Sequence, residues 1–332
     1  MPSSPYTSFA QNGEDVVIRR ALAGVPQGRY VDVGANHPQQ DSVSRGFYDA
    51  GWRGLTVEPV PALAALHREQ RPDDVLFEGV VSGSAAETAV LHQYPEHGLS
   101  TTVDSVRDEH HRAGRDATDL TVRNARLDDL LTDLGWEDQP IHFLVMDTEG
   151  AESSVLSGLD LRRFRPWVLC IESTAPNSVT PTHESWEPGV LAAGYVFCLF
   201  DGLSRFYVAE EHAAQLGDAL RYPACVLDGY RTWHLAAAQD RIAHLEQVRL
   251  EVIQDTLRWR TAALSRWAES LVPRHEPEVP ELQRQLAVLH HEHEHTAAAL
   301  AAHRSELEKT RRTLSWRVTR PLRLVSRLMR RA

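Results

Sequence analysis

Three acidic residues stand directly after an apolar run in the middle of the chain, and their types and spacing could support ligand binding or proton transfer. Residues 141–146 form the run, and Asp147, Glu149 and Glu152 follow it in a segment typical of a helix start. The helix dipole stabilises a carboxylate there, which explains one of these acids but not easily all three. Crowded acids also raise one another's pKa, so that one can accept a proton near neutral pH. We therefore predict a ligand site here, because open α/β sheets bind ligands at the carboxyl ends of their strands.

A second group of candidate residues lies in the stretch 28–36 and in the strand predicted after it. Residues 29–33 are typical of a buried strand around one acid, Asp32, which should be hydrogen-bonded because an unpaired buried charge is costly. Gly34 ends that strand in a tight turn where a ligand can approach the backbone. Glu58 ends the next predicted strand, 26 positions after Asp32. An acid at this point of a nucleotide-binding unit accepts hydrogen bonds from ribose hydroxyls.

The glycines around this turn indicate which kind of nucleotide is expected. They do not spell G-x-G-x-x-G, so a cradle for the pyrophosphate of NAD or FAD is not predicted. A ligand that has a ribose but no phosphate fits better. S-adenosyl-L-methionine (SAM) is the common ligand of that kind.

The elements that must position these residues alternate between strands and helices up to about residue 230, which predicts an α/β domain. Further strands are predicted at 75–82, 88–94, 119–127, 167–172, 194–200 and 204–208, and helices near 14–22, 61–71 and 128–134. The last two strands form a hairpin through Asp201-Gly202, a strong turn signal. The strands at 88–94 and 119–127 are predicted to be an inserted pair around a polar loop, 97–116. That loop is either a lid that faces the substrate or a mobile segment.

Composition narrows the class of protein. The 332 residues are 42% hydrophobic with a mean hydropathy of −0.36, and no apolar run is long enough to span a bilayer. The first residues lack the pattern of a secretory signal. The scattered residues Cys170, Cys198 and Cys225 are typical of buried thiols in a reducing cytosol. We therefore expect a cytoplasmic protein.

The segments and motifs, taken in order, resemble the FkbM-type family of SAM-dependent methyltransferases. The resemblance covers about residues 6–210, and its ordered combination is more specific than any single motif. The matching motifs are Gln11-x-Gly13-Glu14-Asp15, the run from Tyr30 to Pro38, Phe47-Tyr48 with Gly51-Trp52-Arg53-Gly54, Val57-Glu58-Pro59, Arg126 to Leu130, Phe143 to Glu152, Arg165-Pro166, Gly194-Tyr195 and Asp201-Gly202.

This resemblance implies a class I methyltransferase fold, which is a Rossmann-like, seven-stranded, mostly parallel sheet with helices on both faces. It also implies transfer of a methyl group from SAM to an oxygen. Residues implied to bind SAM are Asp32, Gly34 and Asn36 at its methionine end, Glu58 at its ribose, and Gln11 and Glu14 as a cover. His37-Pro38 replaces the small residue usual after Asn36, as in one branch of the family.

The resemblance also implies the residues that act on the acceptor. Asp147 and Glu149 face the reacting hydroxyl and are the best candidates for a general base. His37 and His183 are alternative bases, and a mechanism without an essential base is a third alternative. No metal site is predicted.

The C-terminal third is predicted to be helical and separate from a methyltransferase domain at 1–235. The predicted segments are a helical linker at 236–272, a proline-rich break at 273–281, a coiled coil at 282–314 and a basic amphipathic tail at 315–332. From Leu282 to Leu314, apolar and polar seam residues alternate spacings of four and three, which is typical of a coiled coil in a homo-oligomer or with another partner. A single solvated helix is the alternative. The histidines at 290–295 fall on several faces and do not predict a metal site.

The tail differs in charge from the rest of the chain. The net charge is −11, yet from Arg312 onward there are seven arginines and no acid. Its segment 315–323 resembles a tail that closes coiled coils in bacterial surface-glycan enzymes. Apolar residues among the arginines suit the anionic inner face of the cell membrane, whereas the acidic body gives no support for nucleic acid.

Together these features predict a SAM-dependent O-methyltransferase that acts on a sugar hydroxyl in the assembly of cell-surface glycan or glycolipid. Two alternatives stay open. One is an O-methyltransferase of natural-product synthesis. The other is a non-catalytic scaffold that organises glycan-assembly enzymes through its coiled coil.

Overall fold

The computed structural model of the protein describes residues 5–95, 98–176, 178–271 and 279–311. The chain divides into two compact units, one up to Trp233 and one from His234. The predicted basic tail, 315–332, lies outside the described residues, as does Leu314 at the end of the predicted seam.

The first unit contains short strands and helices that alternate along the chain. Its strands are β1 (Tyr6–Ser8), β2 (Arg29–Val33), β3 (Arg53–Val57), β4 (Val75–Phe77), β5 (Val80–Val81), β6 (Thr88–Gln93), β7 (Thr118–Ala125), β8 (Phe143–Met146), β9 (Val168–Glu172), β10 (Tyr195–Phe200), β11 (Ser204–Ala209) and β12 (Tyr230–Thr232). Its helices are α1 (Glu14–Ala21), α2 (Arg45–Asp49), α3 (Pro61–Gln70), α4 (Asp104–Arg112), α5 (Leu127–Asp133), α6 (Glu152–Leu156), α7 (Glu187–Ala192) and α8 (Ala213–Leu216).

Within the described residues, seven strands form the central sheet in the order β10-β11-β9-β8-β2-β3-β4. Strands β9, β8, β2, β3 and β4 run parallel, while β11 is antiparallel to both of its neighbours. Strands β2, β3 and β4 follow one another in the sheet in chain order. Strand β8, which comes later in the chain, pairs with the opposite edge of β2. This reversal opens a crevice at the carboxyl ends of β2 and β8, where α/β sheets bind ligands. The predicted seven-stranded, mostly parallel sheet is confirmed.

Alternate residues of the central strands face opposite sides of the sheet, and helices cover both sides. Val31 and Leu144 belong to a core with residues of α5, α6 and α7, whereas Tyr30 and Phe143 belong to a core with residues of α1, α2 and α8. Parallel strands covered on both faces are rich in apolar residues, and β8 is apolar and buried throughout. Asp32 is therefore an exception inside β2, and its surroundings must compensate for its burial.

The insertion between β4 and β8 follows the prediction in part. Strands β6 and β7 pair antiparallel, as predicted, with Thr88 opposite Arg123. The predicted strand at 75–82 is instead two strands, since β4 belongs to the central sheet and β5 pairs with β7. The predicted irregular loop contains a helix, α4, whose first turn has Asp104 and whose last turn has two histidines and an arginine. Charges in that order complement the helix dipole.

The second unit is a hairpin of two long helices, α9 (Trp233–Leu271) and α10 (Val279–Arg311). Arg241 of α9 pairs with Glu306 of α10 at 2.5 Å, and Trp259 donates a hydrogen bond to Glu292. The residue of α9 that comes later in the chain pairs with the residue of α10 that comes earlier, so the two helices run antiparallel. From Leu289 onward most residues of the predicted seam, such as Leu300, are less exposed than their neighbours on α10, whereas Leu282, Leu286 and His293 are exposed. The less exposed part of the seam thus faces α9 of the same chain, and a coiled coil between chains stays a prediction.

No helix in the described part of the chain combines the length and the apolar character needed to cross a membrane.

Candidate active site

A cavity of about 800 Å³ opens at the carboxyl ends of β2, β3, β8 and β9. Seven of the predicted site residues contribute to its wall: Gln11, Asp32, Gly34, Asn36, Glu58, Asp147 and Glu149. They come from sequence positions as distant as 11 and 149, and the crevice beside β2 and β8 brings them together. Their individual roles stay predictions, but the sequence analysis named one connected site.

Gly34 makes the close approach of β2 to β8 possible. Its φ is +80°, which suits glycine, and a Cβ there would lie only 1.7 Å from the carbonyl oxygen of Asp147. The amides of Gly34 and Ala35 donate to the carbonyl of Val57 at 3.1 and 3.0 Å, which fixes the turn against the end of β3. No other residue type fits this position without moving the backbone.

Glu58 is held by the backbone at the floor of the cavity. Its carboxylate oxygens accept hydrogen bonds from the amides of Asn36 at 2.8 Å and Val60 at 2.7 Å. Burial raises the pKa of Glu58 to about 7, while these two amide bonds oppose the rise. Each carboxylate oxygen can accept a further bond. Glu58 can therefore accept hydrogen bonds from ribose hydroxyls, and this role stays a prediction.

Asn36 has a buried polar atom that a bound ligand could satisfy with a hydrogen bond. The residue has a φ of +49°, and its carbonyl accepts a 2.9 Å hydrogen bond from Nε2 of His67. Burial lowers the pKa of His67 to about 4, so that its ring is neutral. The side-chain Oδ1 of Asn36 is buried and has no hydrogen-bond partner among the described residues. An unsatisfied buried acceptor in a cavity wall fits a donor group of a bound ligand.

Asp32 is compensated from inside the protein. Ser44 donates a short hydrogen bond to its carboxylate, and the Arg71 guanidinium donates to Ser44 at 2.8 Å. Arg71 also forms a buried ion pair with Asp74 and donates to the hydroxyl of Tyr30. Burial raises the pKa of Asp32, and Arg71 opposes the rise. The expected hydrogen bonding of Asp32 is confirmed, and its partner is this buried network.

The acids after β8 have different roles. Glu152 caps the turn, because its Oε1 accepts bonds from the amides of Thr148 and Gly150 and from the Thr148 hydroxyl. Asp147 and Glu149 instead line the cavity. Glu149 has a φ of +51°, and its carbonyl accepts a 2.9 Å bond from the hydroxyl of Thr101 in the insertion.

Glu172 is a site residue that the sequence analysis did not select. It ends β9, which is parallel to β8, so its carboxyl group lies beside that of Asp147 in the cavity wall. Burial and the charges of Asp147 and Glu149 raise the pKa of Glu172 far above its usual range. Glu172 therefore keeps its proton near neutral pH and can donate a hydrogen bond to Asp147, and its buried Oε2 has no hydrogen-bond partner among the described residues. The signal was an acid at the end of a strand, but the sequence alone does not say which strand lies beside it.

The pKa values separate the two candidate bases. Burial and the neighbouring acids raise the pKa of Asp147 to about 6, and its hydrogen bond with Glu172 limits the rise. The same effects, without that donor, raise the pKa of Glu149 to about 9. Asp147 thus has the lower pKa of the two and is the better candidate for a base near neutral pH, whereas Glu149 holds its proton more tightly.

Glu14 and His37 do not belong to the cavity lining among the described residues. Glu14 is buried and accepts a 2.9 Å bond from the amide of Asn12, so it supports the turn that carries Gln11. Nδ1 of His37 accepts bonds from the amides of Gln39 and Gln40 at 3.1 and 2.9 Å. This nitrogen is used within its own turn, and the geometry therefore does not support His37 as the base.

The alternative base His183 is likewise outside the lining and lies 3.7 Å from Glu187. In contrast, the segment before α4 contributes four residues to the cavity wall: Gly98, Leu99, Ser100 and Thr102. The described residues at the start of the polar loop thus line the cavity, and a role as a lid stays a prediction.

Comparison with known families agrees with this site. A family model described as the methyltransferase FkbM domain matches residues 32–197, from the Asp32 strand to the hairpin. The chain belongs to the FkbM methyltransferase family. SAM is accordingly its cofactor and methyl donor, and the Gly34 turn, the Asn36 acceptor and the Glu58 carboxylate fit that molecule.

Similar solved structures are distant. A TehB-like SAM-dependent methyltransferase from Corynebacterium glutamicum is 12% identical, with 58% of this chain and 87% of that chain covered and a TM-score of 0.32. A precorrin-6y C5,15-methyltransferase from Geobacter metallireducens is 11% identical, with 59% and 86% covered and a TM-score of 0.29. An O-methyltransferase from Bacillus cereus in complex with SAH is 11% identical, with 59% and 78% covered and a TM-score of 0.31. Comparison with curated proteins gives no match.

Proposed function

We propose that this FkbM-family methyltransferase transfers the methyl group of SAM to a hydroxyl of an uncharged, polyhydroxylated acceptor, a sugar of a cell-surface glycan or glycolipid. The observation that carries the proposal is the pair of carboxyl groups at the ends of β8 and β9, Asp147 and Glu172, in the wall of the cavity. This pair supplies one ionised carboxylate with a raised pKa beside a fixed proton donor.

SAM supplies a methyl group on a sulfonium, which is already an excellent leaving group. The chain must therefore orient the acceptor hydroxyl and remove its proton. Asp147 takes this proton, because its pKa of about 6 leaves it ionised at neutral pH while making it a stronger base than an ordinary aspartate. Glu172 holds the Asp147 carboxylate in place by donating to it.

The rest of the cavity wall supports an uncharged acceptor. No lysine, arginine, histidine or aromatic residue is among the described residues that line it. Uncharged hydrogen-bonding side chains in the wall are Gln11, Asn36, Gln40, Ser42, Ser100, Thr102, Thr148, Thr174 and Ser178, and carboxyl groups come from Asp32, Asp41, Glu58, Asp147, Glu149 and Glu172. Such a wall attracts the sulfonium and hydrogen-bonds hydroxyls, but it repels a phosphate or carboxylate.

The glycan setting is supported by the resemblance of 315–323 to a tail of bacterial surface-glycan enzymes. That segment lies outside the described residues. The same basic tail supports contact with an anionic membrane surface. Deletion of the tail should then release the protein from anionic vesicles, and continued co-sedimentation would refute that contact.

Two measurements test the proposal, one for the charge of the acceptor and one for the role in surface glycan. The purified protein with SAM should release S-adenosylhomocysteine in the presence of neutral sugars and not with the matching sugar phosphates. Equal turnover of both would contradict the uncharged acceptor. Mass spectrometry of surface glycan from cells with and without the gene should show one missing methyl group, and an unchanged glycan would contradict the glycan role while leaving methyl transfer itself standing.

A further inference from the structure

Helix α3 carries a buried histidine that bonds to the wall of the SAM site without lining the cavity. Three residues of this helix are buried, namely Leu63, Ala64 and His67, and His67 is the polar one. It is 1% exposed, and its Nε2 donates a 2.9 Å hydrogen bond to the main-chain carbonyl of Asn36. His67 is not among the described residues that line the cavity. Any effect of His67 on SAM must therefore pass through a neighbour.

The surroundings of His67 determine which ring nitrogen carries the proton. A carbonyl oxygen can only accept a hydrogen bond, so Nε2 must carry the hydrogen. Nδ1 is buried and has no partner among the described residues, so a second proton there would be a buried donor without an acceptor. Burial and the nearby Arg71 guanidinium lower the pKa of His67 to about 4. The ring is thus neutral near pH 7 and acts as a single, directed donor.

The residue that receives this bond has a backbone conformation that most side chains disfavour. Asn36 has a φ of +49°, which asparagine tolerates better than most residues but still at a cost in energy. Its main chain is held on both sides, because its amide donates to Glu58 at 2.8 Å and its carbonyl accepts from His67. These two bonds stabilise the conformation in which Asn36 contributes to the cavity wall.

The side chain of Asn36 depends on this support. Its Oδ1 is buried without a partner in the described part of the chain, so no hydrogen bond there fixes the direction of this oxygen. A Cβ at Gly98 would lie 3.4 Å from its Nδ2, so the amide nitrogen is next to the segment before α4. An acceptor that only a ligand satisfies binds more tightly when the protein orients it beforehand, because binding then does not include the cost of ordering it.

We propose that His67 is a positioning residue for SAM binding, which holds the Asn36 carbonyl so that the Asn36 side chain is directed at a donor group of SAM. Without the His67 donor, this carbonyl would be buried and unpaired, and the turn would rotate to reach another partner. Asn36 would then populate several conformations, of which only some bind SAM. The apparent affinity falls in proportion to the fraction that can bind.

The test compares variants of the full chain by calorimetric titration with SAM, at a temperature well below the Tm of each variant. His67→Phe keeps a ring of similar size but has no donor, and it should bind SAM about tenfold more weakly. His67→Gln places an N–H at a reach similar to that of Nε2 and should remain within about threefold of the wild type. His67→Asn has the same amide on a shorter side chain and should bind SAM as weakly as the phenylalanine variant.

His142→Phe is the matched control, because it removes a similar bond at the opposite end of β2. His142 is 7% exposed, and its Nδ1 accepts a 3.0 Å hydrogen bond from the amide of Arg29, where β2 begins. It does not belong to the described cavity lining. This variant should lose Tm as His67→Phe does, but its SAM affinity should stay within about twofold of the wild type.

A double-mutant cycle tests whether His67 acts through Asn36. In the Asn36→Gly background, His67→Phe should change the SAM affinity less than about twofold, because the side chain that His67 directs is absent. A loss of about tenfold in that background would overturn the proposal, and so would wild-type affinity in His67→Phe alone.

The two amide variants decide the proposal even if His67→Phe does not fold. Equal SAM affinities of His67→Gln and His67→Asn would overturn it, since the reach of the donor would then not matter. A loss of about tenfold in His142→Phe would also refute it, because the effect would then follow from the loss of any buried histidine.

Discussion

The two units of the molecule use polar and apolar residues in opposite ways. The first unit buries acids, among them Glu14, Asp32 and Glu58, each at least 95% removed from solvent and each bonded to particular neighbours. The helical hairpin buries few side chains. Ala236 and Leu245 are the buried residues of α9, and most of its other apolar residues are partly or largely exposed. A tightly packed position of the cavity wall, such as Gly34, therefore admits few residue types, whereas an exposed apolar position of α9 admits several. Single substitutions should therefore have large effects in the cavity and small ones in the hairpin.

The largest effect is expected from Gly34→Ala. The new Cβ would meet the carbonyl oxygen of Asp147, so β2 and β8 must separate and the SAM site should be lost. Gly135→Ala is the control, because Gly135 also has a positive φ, +66°, but has open space around it. We expect calorimetry to show more than about 100-fold weaker SAM binding for the first variant, and for the second only the roughly 1–2 kcal/mol cost in stability of a strained φ. Similar SAM affinity in both variants would contradict the close approach.

A smaller effect is expected from changes at Glu172. Glu172→Ala removes the donor to the ionised Asp147, which should raise the pKa of Asp147 and lower kcat about tenfold or more. Glu172→Gln keeps an N–H donor and should remain within a few-fold of the wild type. The pH profile of kcat/KM separates this role from simple damage, because its acidic limb should move to higher pH in the alanine variant alone. Identical profiles for both variants would remove Glu172 from the mechanism.

A moderate effect is expected on stability as a function of pH. Burial raises the pKa of Glu14 to about 8 and of Glu58 to about 7 in the folded protein. Above about pH 4.5 the unfolded chain releases these protons first, so the native state binds more protons and its stability falls as pH rises toward 8. The SAM-free protein should lose a few degrees of Tm between about pH 5 and about pH 8.

Scanning calorimetry at several pH values checks this slope, and Glu14→Gln should flatten part of it. A Tm that rises over the same pH range would contradict the assignment of these buried acids as protonated groups.

The smallest effect on catalysis is expected from the hairpin. Leu257→Glu with Leu264→Glu, at two exposed positions of α9, should change kcat/KM less than about twofold, because neither residue belongs to the cavity wall. Initial rates measured beside a control with Ala262→Glu and Ser265→Glu, at two other exposed positions of α9, check this. A tenfold loss in the leucine variant alone would show that the two units are functionally coupled.

Sequence reasoning reached the parts of the site that depend on one strand and its turn. Gly34 and Glu58 follow from the order of apolar runs, a glycine and an acid, and the close approach at Gly34 and the amide bonds of Glu58 give physical reasons for both. The seven-stranded sheet was likewise accessible from the alternation of elements and the resemblance to the family.

What the sequence did not provide depends on contacts between distant segments. Glu172 joins the site because β9 lies beside β8, and no local pattern states that neighbour relation. His37 is sequentially close to the SAM residues, yet its ring closes its own turn. The heptads after residue 282 predicted a partner helix, but periodicity alone could not show that α9 of the same chain supplies it.

In the proposed mechanism Asp147 removes the proton of the acceptor hydroxyl, and single-turnover methyl transfer by Asp147→Asn is the decisive experiment. The asparagine keeps the size of the side chain and loses its basicity, so SAM affinity measured by calorimetry should stay within a few-fold. The rate of transfer should fall by about 10² to 10⁴, the usual contribution of a general base. An unchanged rate of transfer with SAM still bound would show that Asp147 is not the general base.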